Sequence, residues 1–391
     1  MKPILGYCTN VHAGADWTTT QANLARYAVA VRERFSRKEP MGVGLWLSNS
    51  AAESLGRPAA VEEFRGWLAS HGLRPFTLNG FPFGDFHQPV VKHRVYEPNW
   101  FDRRRVEYTK RLATLLAALL ADGQGGSIST LPICWGAPAP TAEQWALAAR
   151  HVREVGEHLH QLRESTGHEI VLSIEPEPGC SIQRVGDVLR FFTEQLWQGA
   201  TPVDYLRRHV GVCHDICHSV VMFEEQAAVL EAYHRAGIRV GKVQVSSAVT
   251  VDFASLTTQQ RRQAIEQLHG FDERRYLHQT NIRQPNGAER FYEDLSQPLA
   301  EVGDAAALTS EWRIHFHVPV YIDRFGSLRA SQAAIREALA ALRRYHPDVT
   351  DYEVETYAWG VLPAELQQPD LAAGIADEMR WCAAAMAAAR D

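Results

Sequence analysis

Ile170-Val-Leu-Ser-Ile174-Glu175-Pro176-Glu177-Pro178-Gly179 is an apolar run that ends on carboxylates, with prolines stopping the extended chain beside Glu175. Glu175 and Glu177 lie two residues apart, so in extended backbone both face the same side. A surface turn could carry two solvated acids. An acid that closes a buried strand is better explained by a site placed where strands end.

Working outward, β-rich runs alternate with helical ones along the chain. The extended runs are Ile4–Asn10, Val43–Ser48, Pro75–Asn79, Ser127–Ile133, Ile170–Glu175, Val210–Asp215, Val240–Ser246, Arg313–Val320 and Asp351–Tyr357. Helical periodicity fills the gaps, for example at Asp102–Leu120, Ala142–Glu164 and Ser331–Tyr345, and an Ala-rich helix closes the chain from Asp370 to Arg390. Repeated strand–helix order predicts parallel strands with crossover helices. Eight units favour a closed (β/α)8 TIM barrel over an open dinucleotide-binding sheet, and no G-x-G-x-x-G follows an early strand.

Nine runs are one too many. The stretch 271–321 reads as an insertion between the seventh and eighth strands. Within it, Tyr276–Arg283 and Ala288–Leu295 flank Gln284-Pro-Asn-Gly287, whose Asn-Gly pair signals a hairpin. Val240–Ser246 is then strand seven and Asp351–Tyr357 strand eight. Arg313–Val320 belongs to an excursion folding back over the barrel mouth, with its inclusion in the barrel as the alternative. No low-complexity linker divides the 391 residues, so a single domain spanning 1–391 is expected.

Composition narrows the partners. The chain is 46% hydrophobic and 22% charged with a net charge of −6, and its short basic groups, such as Arg103-Arg104-Arg105, lie in helical stretches. Backbone binding of nucleic acid needs a broad basic footprint, which is lacking. No apolar run is long enough for a membrane span, and the start lacks a secretory leader pattern. Six scattered cysteines fit free thiols in a reducing compartment, so the cytoplasm is expected. The expected partner is a small-molecule metabolite; a homo-oligomer stays open.

The other strand ends repeat the theme of the fifth. Strand six ends Cys213-His214-Asp215-Ile-Cys217-His218, an Asp-x-x-His that offers an oxygen and then an imidazole, while His214 takes the opposite face for packing. Its Cys-x-x-x-Cys spacing matches no common structural zinc pattern. Strand seven puts Lys242, Gln244 and Ser246 on one face. Strand eight, Tyr352-Glu353-Val-Glu355, carries two acids on one face, with Glu355 nearer the end and Glu353 suited to a structural hydrogen bond. In the excursion, Arg313, His315 and His317 share a face, and two imidazoles at i and i+2 can converge on one ion or anion. Asn79 after strand three, His12 after strand one and Trp135 after strand four add polar and aromatic groups at the rim, suited to a ring-shaped or hydroxylated ligand.

Glu175, Asp215 and Glu355 thus offer three hard oxygens from three strands. Such carboxylates would repel one another at a barrel mouth, and a divalent ion (Mn, Mg, Co or Zn) relieves that repulsion. Two of the acids could also exchange a proton at carbon.

These strand ends resemble the xylose-isomerase-like TIM-barrel superfamily of sugar isomerases and epimerases. The resemblance implies metal ligation by Glu175, Asp215, Gln244 and Glu355, a substrate contact at His218, and an acid/base role for Glu175 and Glu355. The departure is at strand seven, where the family typically shows His-x-His and this chain has Lys242-Val-Gln244. Gln244 keeps a carbonyl oxygen for a hard cation, and His317 is the candidate for the missing imidazole. Asn79-Gly-Phe-Pro-Phe-Gly84, His315-Phe-His-Val-Pro319 and Glu353-Val-Glu-Thr-Tyr-Ala-Trp359 further resemble the EboE-like proteins of ebo gene clusters, which implies a part in metabolite traffic without specifying a reaction.

Two functional classes follow. The first is a metal-dependent isomerase or epimerase for a small hydroxylated or carbonyl metabolite. In that reading Glu175, Asp215, Gln244 and Glu355 hold metal, and His218, His315, His317, Lys242, Asn79, His12 and Trp135 contact substrate. The second is a non-catalytic binding or carrier protein on the same barrel. A metal-dependent endonuclease would want a basic face and more histidine ligands.

Overall fold

The computed structural model describes residues 2–36 and 38–389. Seven strands form first: β1 (Ile4–Cys8), β2 (Met41–Trp46), β3 (Leu73–Asn79), β4 (Gly126–Thr130), β5 (Ile170–Ile174), β6 (Val210–Asp215) and β7 (Val240–Val245). Six short strands follow: β8 (Val249–Asp252), β9 (Thr280–Arg283), β10 (Glu289–Tyr292), β11 (Glu311–Ile314), β12 (Arg324–Phe325) and β13 (Leu328–Ala330). The chain then returns to the barrel as β14 (Asp351–Val354).

The closed barrel runs β1-β14-β7-β6-β5-β4-β3-β2, and every neighbouring pair is parallel. This is a (β/α)8 barrel, and its strands are buried along nearly their whole length, as parallel strands covered by helices must be. Helix boundaries follow local chemistry. Thr141 and Gln144 form a capping box at the start of Ala142–Thr166, and Gly167 ends that helix in the left-handed region at φ 78°. The last helix is Leu371–Ala388; Arg390, placed in it from sequence, lies outside the described residues. Among the described residues, no helix is long and apolar enough to cross a membrane.

The insertion forms a second sheet, ordered β10-β9-β11-β8-β13-β12. The Asn286-Gly287 hairpin forms as read from sequence: β9 and β10 pair antiparallel, and Gly287 sits at φ 84°. Strands of this sheet extend from Val249 to Ala330, beyond 271–321 on both sides, because β8 pairs with β11 and β13, and β13 with β12, rather than with the barrel. The run Arg313–Val320 does not enter the barrel. Its first residues belong to β11, and the rest turns inward across the mouth.

Inside the barrel, Lys242 Nζ lies 2.7 Å from Glu353 Oε2, both side chains fully buried. Gly44 makes room for this pair, since a Cβ there would fall 1.4 Å from Glu353 Oε1. Arg105, also buried, donates to the carbonyls of Gly80, Phe81 and Pro98 and pins the loop after β3 against the barrel.

Candidate functional site

At the C-terminal ends of the strands, three carboxylates meet. Ligand oxygens of Glu175, Asp215 and Glu355 all lie within 4.8 Å of one another. Each arrives by a local device. Glu175 follows β5 directly, where Pro176 stops the strand. Asp215 ends β6 and caps the helix Ile216–Val221, its Oδ1 accepting from the His218 amide at 2.9 Å and from Ser246 Oγ at 2.8 Å. Glu355 follows β14, and its Oε1 accepts from Asn10 Nδ2 at 2.8 Å and Asn79 Nδ2 at 2.9 Å. The remaining oxygens Glu175 Oε2 and Asp215 Oδ2 are buried without a hydrogen-bond partner in the protein.

Such an arrangement is electrostatically unfavourable on its own. Burial, then the charges of Glu355 and Asp215, push the Glu175 carboxyl well above the carboxylate range. Burial and the neighbouring Asp215 and Glu353 push Glu355 up to about 8. Burial alone would raise Asp215 too, but the nearby His218 and His317 and its two hydrogen bonds hold it low.

Beside the carboxylates stand three imidazoles. His315 Nε2 lies 3.1 Å from His218 Nε2 and 3.2 Å from His317 Nε2. The opposite nitrogen of each ring faces an acceptor: His218 Nδ1 meets the Pro176 carbonyl at 2.8 Å, His315 Nδ1 meets Gln279 Oε1 at 2.7 Å, and His317 Nδ1 meets the Glu355 carbonyl at 2.7 Å. Each Nδ1 therefore carries the proton, and three Nε2 lone pairs converge. The Gln279 orientation is set independently, because its Nε2 donates to Glu177 Oε1 at 3.1 Å and to the Tyr96 hydroxyl at 2.9 Å. Burial lowers His317 to about 4, and burial with the adjacent imidazoles lowers His315 well below its ordinary value. Both rings are neutral at pH 7, the form that ligates metals. His218 and His317 Nε2 stand 3.8 and 3.9 Å from Asp215 Oδ2, which joins the two clusters.

Glu175, Glu355 and the three imidazoles floor a cavity of about 70 Å³ at the barrel mouth, roofed by the loop after β3 and by Tyr276, Leu277 and Tyr357, with Asp215 behind the lining. Of the residues expected in the pocket, Asn79, Glu175, His218, His315, His317 and Glu355 line it. Gln244 is fully buried on the inward face of β7, between Lys242 and Ser246, and both its amide atoms lack a partner.

Three expected contacts fall elsewhere. Lys242 is not a ligand group: its ammonium is spent on Glu353 and Ser129 inside the barrel, a level below the cavity. His12 turns away from the cavity to hydrogen-bond Tyr7 at 3.0 Å and stack on Tyr27, and burial lowers it to about 3. Trp135 packs on Tyr96, ring centroids 5.1 Å apart, and faces a separate outer cleft of about 670 Å³. His12 and Trp135 found partners outside the cavity, and Lys242 found its own inside the barrel.

Sequence reasoning placed Asn10 and Glu177 at strand ends without giving them a role, and did not single out Tyr96 and Gln279. Tyr96 donates to Glu177 Oε1 at 2.8 Å, and Glu177 shares a cluster with His218 and His315. Glu177 carried a signal, its i+2 spacing from Glu175. Tyr96 and Gln279 carried none, because loops 183 residues apart bring them together.

A family profile described as Xylose isomerase-like TIM barrel matches residues 42–345. No curated protein sequence matches the chain. Among solved structures, a xylose isomerase-like TIM barrel protein from Mycobacterium smegmatis, in complex with magnesium, aligns over 100% of this chain and 98% of its own at 12% identity and a TM-score of 0.55. L-ribulose 3-epimerase aligns over 100% and 96% at 12% identity and a TM-score of 0.50, and a xylose isomerase domain protein from Planctomyces limnophilus over 100% and 97% at 12% identity and 0.50. At such identity these likenesses show the fold alone. The profile covers most of the chain, and with the closed parallel barrel it shows that this protein belongs to the xylose isomerase-like TIM barrel family.

Proposed function

We propose that this protein is a cytoplasmic, divalent-metal-dependent isomerase or epimerase of a small hydroxylated or carbonyl metabolite. The observation that carries the reading is the meeting of buried, partner-poor carboxylate oxygens with converging imidazole lone pairs. Three acids and three bare Nε2 atoms in one buried site repel among themselves, and a cation removes both repulsions at once.

Glu175, Asp215 and Glu355 would hold the ion, with His317 supplying the nitrogen absent from strand seven and Gln244 beneath them. When bound, the ion would polarise an oxygen next to the reacting carbon and so acidify its C–H bond. Glu175 and Glu355, approaching from different strands with carboxyls raised toward neutrality, suit removal of a proton from one face and its return at the other. Asn10 and Asn79 would fix the Glu355 carboxylate, and Pro176, Gln279 and the Glu355 carbonyl the tautomers of the imidazoles. The motifs shared with EboE-like proteins support a place in an ebo-type metabolite traffic pathway.

The Gln244 substitution favours a second reading, a binding or carrier protein without turnover. Metal analysis of the purified protein and of Glu175→Gln and Asp215→Asn separates the two. Stoichiometric Mn, Mg, Co or Zn lost in both variants is the expected result. Metal-free protein that still binds a metabolite would replace the enzyme with the carrier.

A further inference from the structure

The cavity is chemically two-sided. Its floor holds Glu175, Glu355, the three imidazoles and the amides of Asn10 and Asn79, whereas its roof, Tyr276 and Tyr357 apart, is hydrocarbon: Phe81, Pro82, Phe86, Val91, Val95 and Leu277. Among its polar atoms the Tyr276 hydroxyl is buried without a partner, and two others are engaged. Lys92 Nζ is ion-paired with Asp294, and the Tyr96 hydroxyl donates to Glu177. The aromatic part is rigidly assembled, with Phe86 4.9 Å from Tyr276 and 5.5 Å from Tyr357 between ring centroids, and Tyr357 4.8 Å from His317. Backbone bonds from Val91 and Lys92 to the Arg275 carbonyl, 2.8 and 3.0 Å, lock the two roof segments together.

A free sugar presents hydroxyls on every edge. Each one turned toward Phe86, Val91, Val95 or Leu277 would lose its water partners without replacement, at a cost of roughly ten-fold in affinity. The volume of about 70 Å³ is also far below the usual several hundred of a ligand pocket.

Resting on the reading of this cavity as the ligand site, we infer that its ligand is a compact amphiphile. It carries one polar edge, a vicinal diol or hydroxy-ketone turned to the floor, and a hydrocarbon ring or chain under Phe86, Val91, Val95 and Leu277. Those four residues set specificity and exclude free sugars.

The test uses two cis-diols of the same shape, cis-cyclopentane-1,2-diol and 1,4-anhydroerythritol, in which a ring oxygen replaces one methylene. Their binding to the full-length protein is measured by calorimetry with and without Mn²⁺. The carbocycle should bind five- to ten-fold tighter in whichever metal state binds, and Val91→Thr, which keeps the volume and adds a hydroxyl, should narrow that ratio to about two. Equal affinities, preference for the ether, or no binding of either diol overturns the inference. Carbocycle preference that is indifferent to Mn²⁺ would sink the metal-dependent reading while leaving the amphiphilic ligand standing.

Discussion

His218 and His315 are 97 residues apart in sequence, yet their Nε2 atoms lie 3.1 Å from each other, and neither atom carries the ring's proton. Two lone pairs at that distance are held apart only by what lies between them, and His317 brings a third. The protein spends buried hydrogen bonds on Pro176, Gln279 and the Glu355 backbone to keep the rings in this tautomer.

Removing one imidazole should therefore weaken cation binding without unfolding the protein. His315→Ala is expected to lower Mn²⁺ or Co²⁺ affinity by at least ten-fold, measured by titration of the metal-free protein. The melting temperature of the metal-free variant should change by little, since a mutual repulsion leaves with the ring. Unchanged metal affinity would remove the histidines from the site.

Asn10 and Asn79 converge on a single oxygen of Glu355. Asn79→Leu keeps the size but leaves one donor fewer on a buried carboxylate, a loss of about 1.5–3 kcal/mol for a charged partner. Metal affinity should fall about 10- to 100-fold, as for other groups that orient a ligand. Wild-type affinity in the variant would show that Glu355 needs no such support.

The ion pair of Lys242 and Glu353 bears first on stability. Lys242→Met strands a buried carboxylate and should cost about 3–5 kcal/mol in urea denaturation, whereas Lys242→Met with Glu353→Leu should regain most of it. Neither change should alter metal content. A single variant within 1 kcal/mol of wild type would contradict the pairing.

Glu378 on the last helix accepts from Thr356 Oγ1 at 2.6 Å, Val320 N at 3.1 Å and Trp359 Nε1 at 3.1 Å, tying that helix to the segments that carry Glu355 and His317. Burial pushes its carboxyl up to about 7. The folded state thus holds this proton more tightly than the unfolded chain, so its contribution is complete below the ordinary value near 4.5 and is lost as pH rises through about 7. The amount is up to about 3 kcal/mol. Melting temperature should fall between pH 5 and 7.5, and Glu378→Gln should flatten that slope. An identical slope in the variant would assign the effect to other buried acids.

Much of this was legible in the chain itself. Strand–helix alternation announces the barrel because parallel strands buried on both faces must read as apolar runs. A polar residue closing such a run, as at Glu175, Asp215 and Glu355, stands out since burial without a partner is costly. The hairpin at Asn286-Gly287 is local for a similar reason, a backbone geometry that few residues tolerate.

Tertiary structure decided what local pattern cannot carry. Period-two alternation says that Lys242 shares a face with Ser246, but not that Glu353 would take its charge one level below the cavity. It places His12 at a strand end, but not beside Tyr7 and Tyr27. The contacts of Asn10 with Glu355 and of Gln279 with His315 join segments 345 and 36 residues apart. A side chain's partner depends on which loops cross the mouth and at what height, and that is settled only when the whole barrel closes.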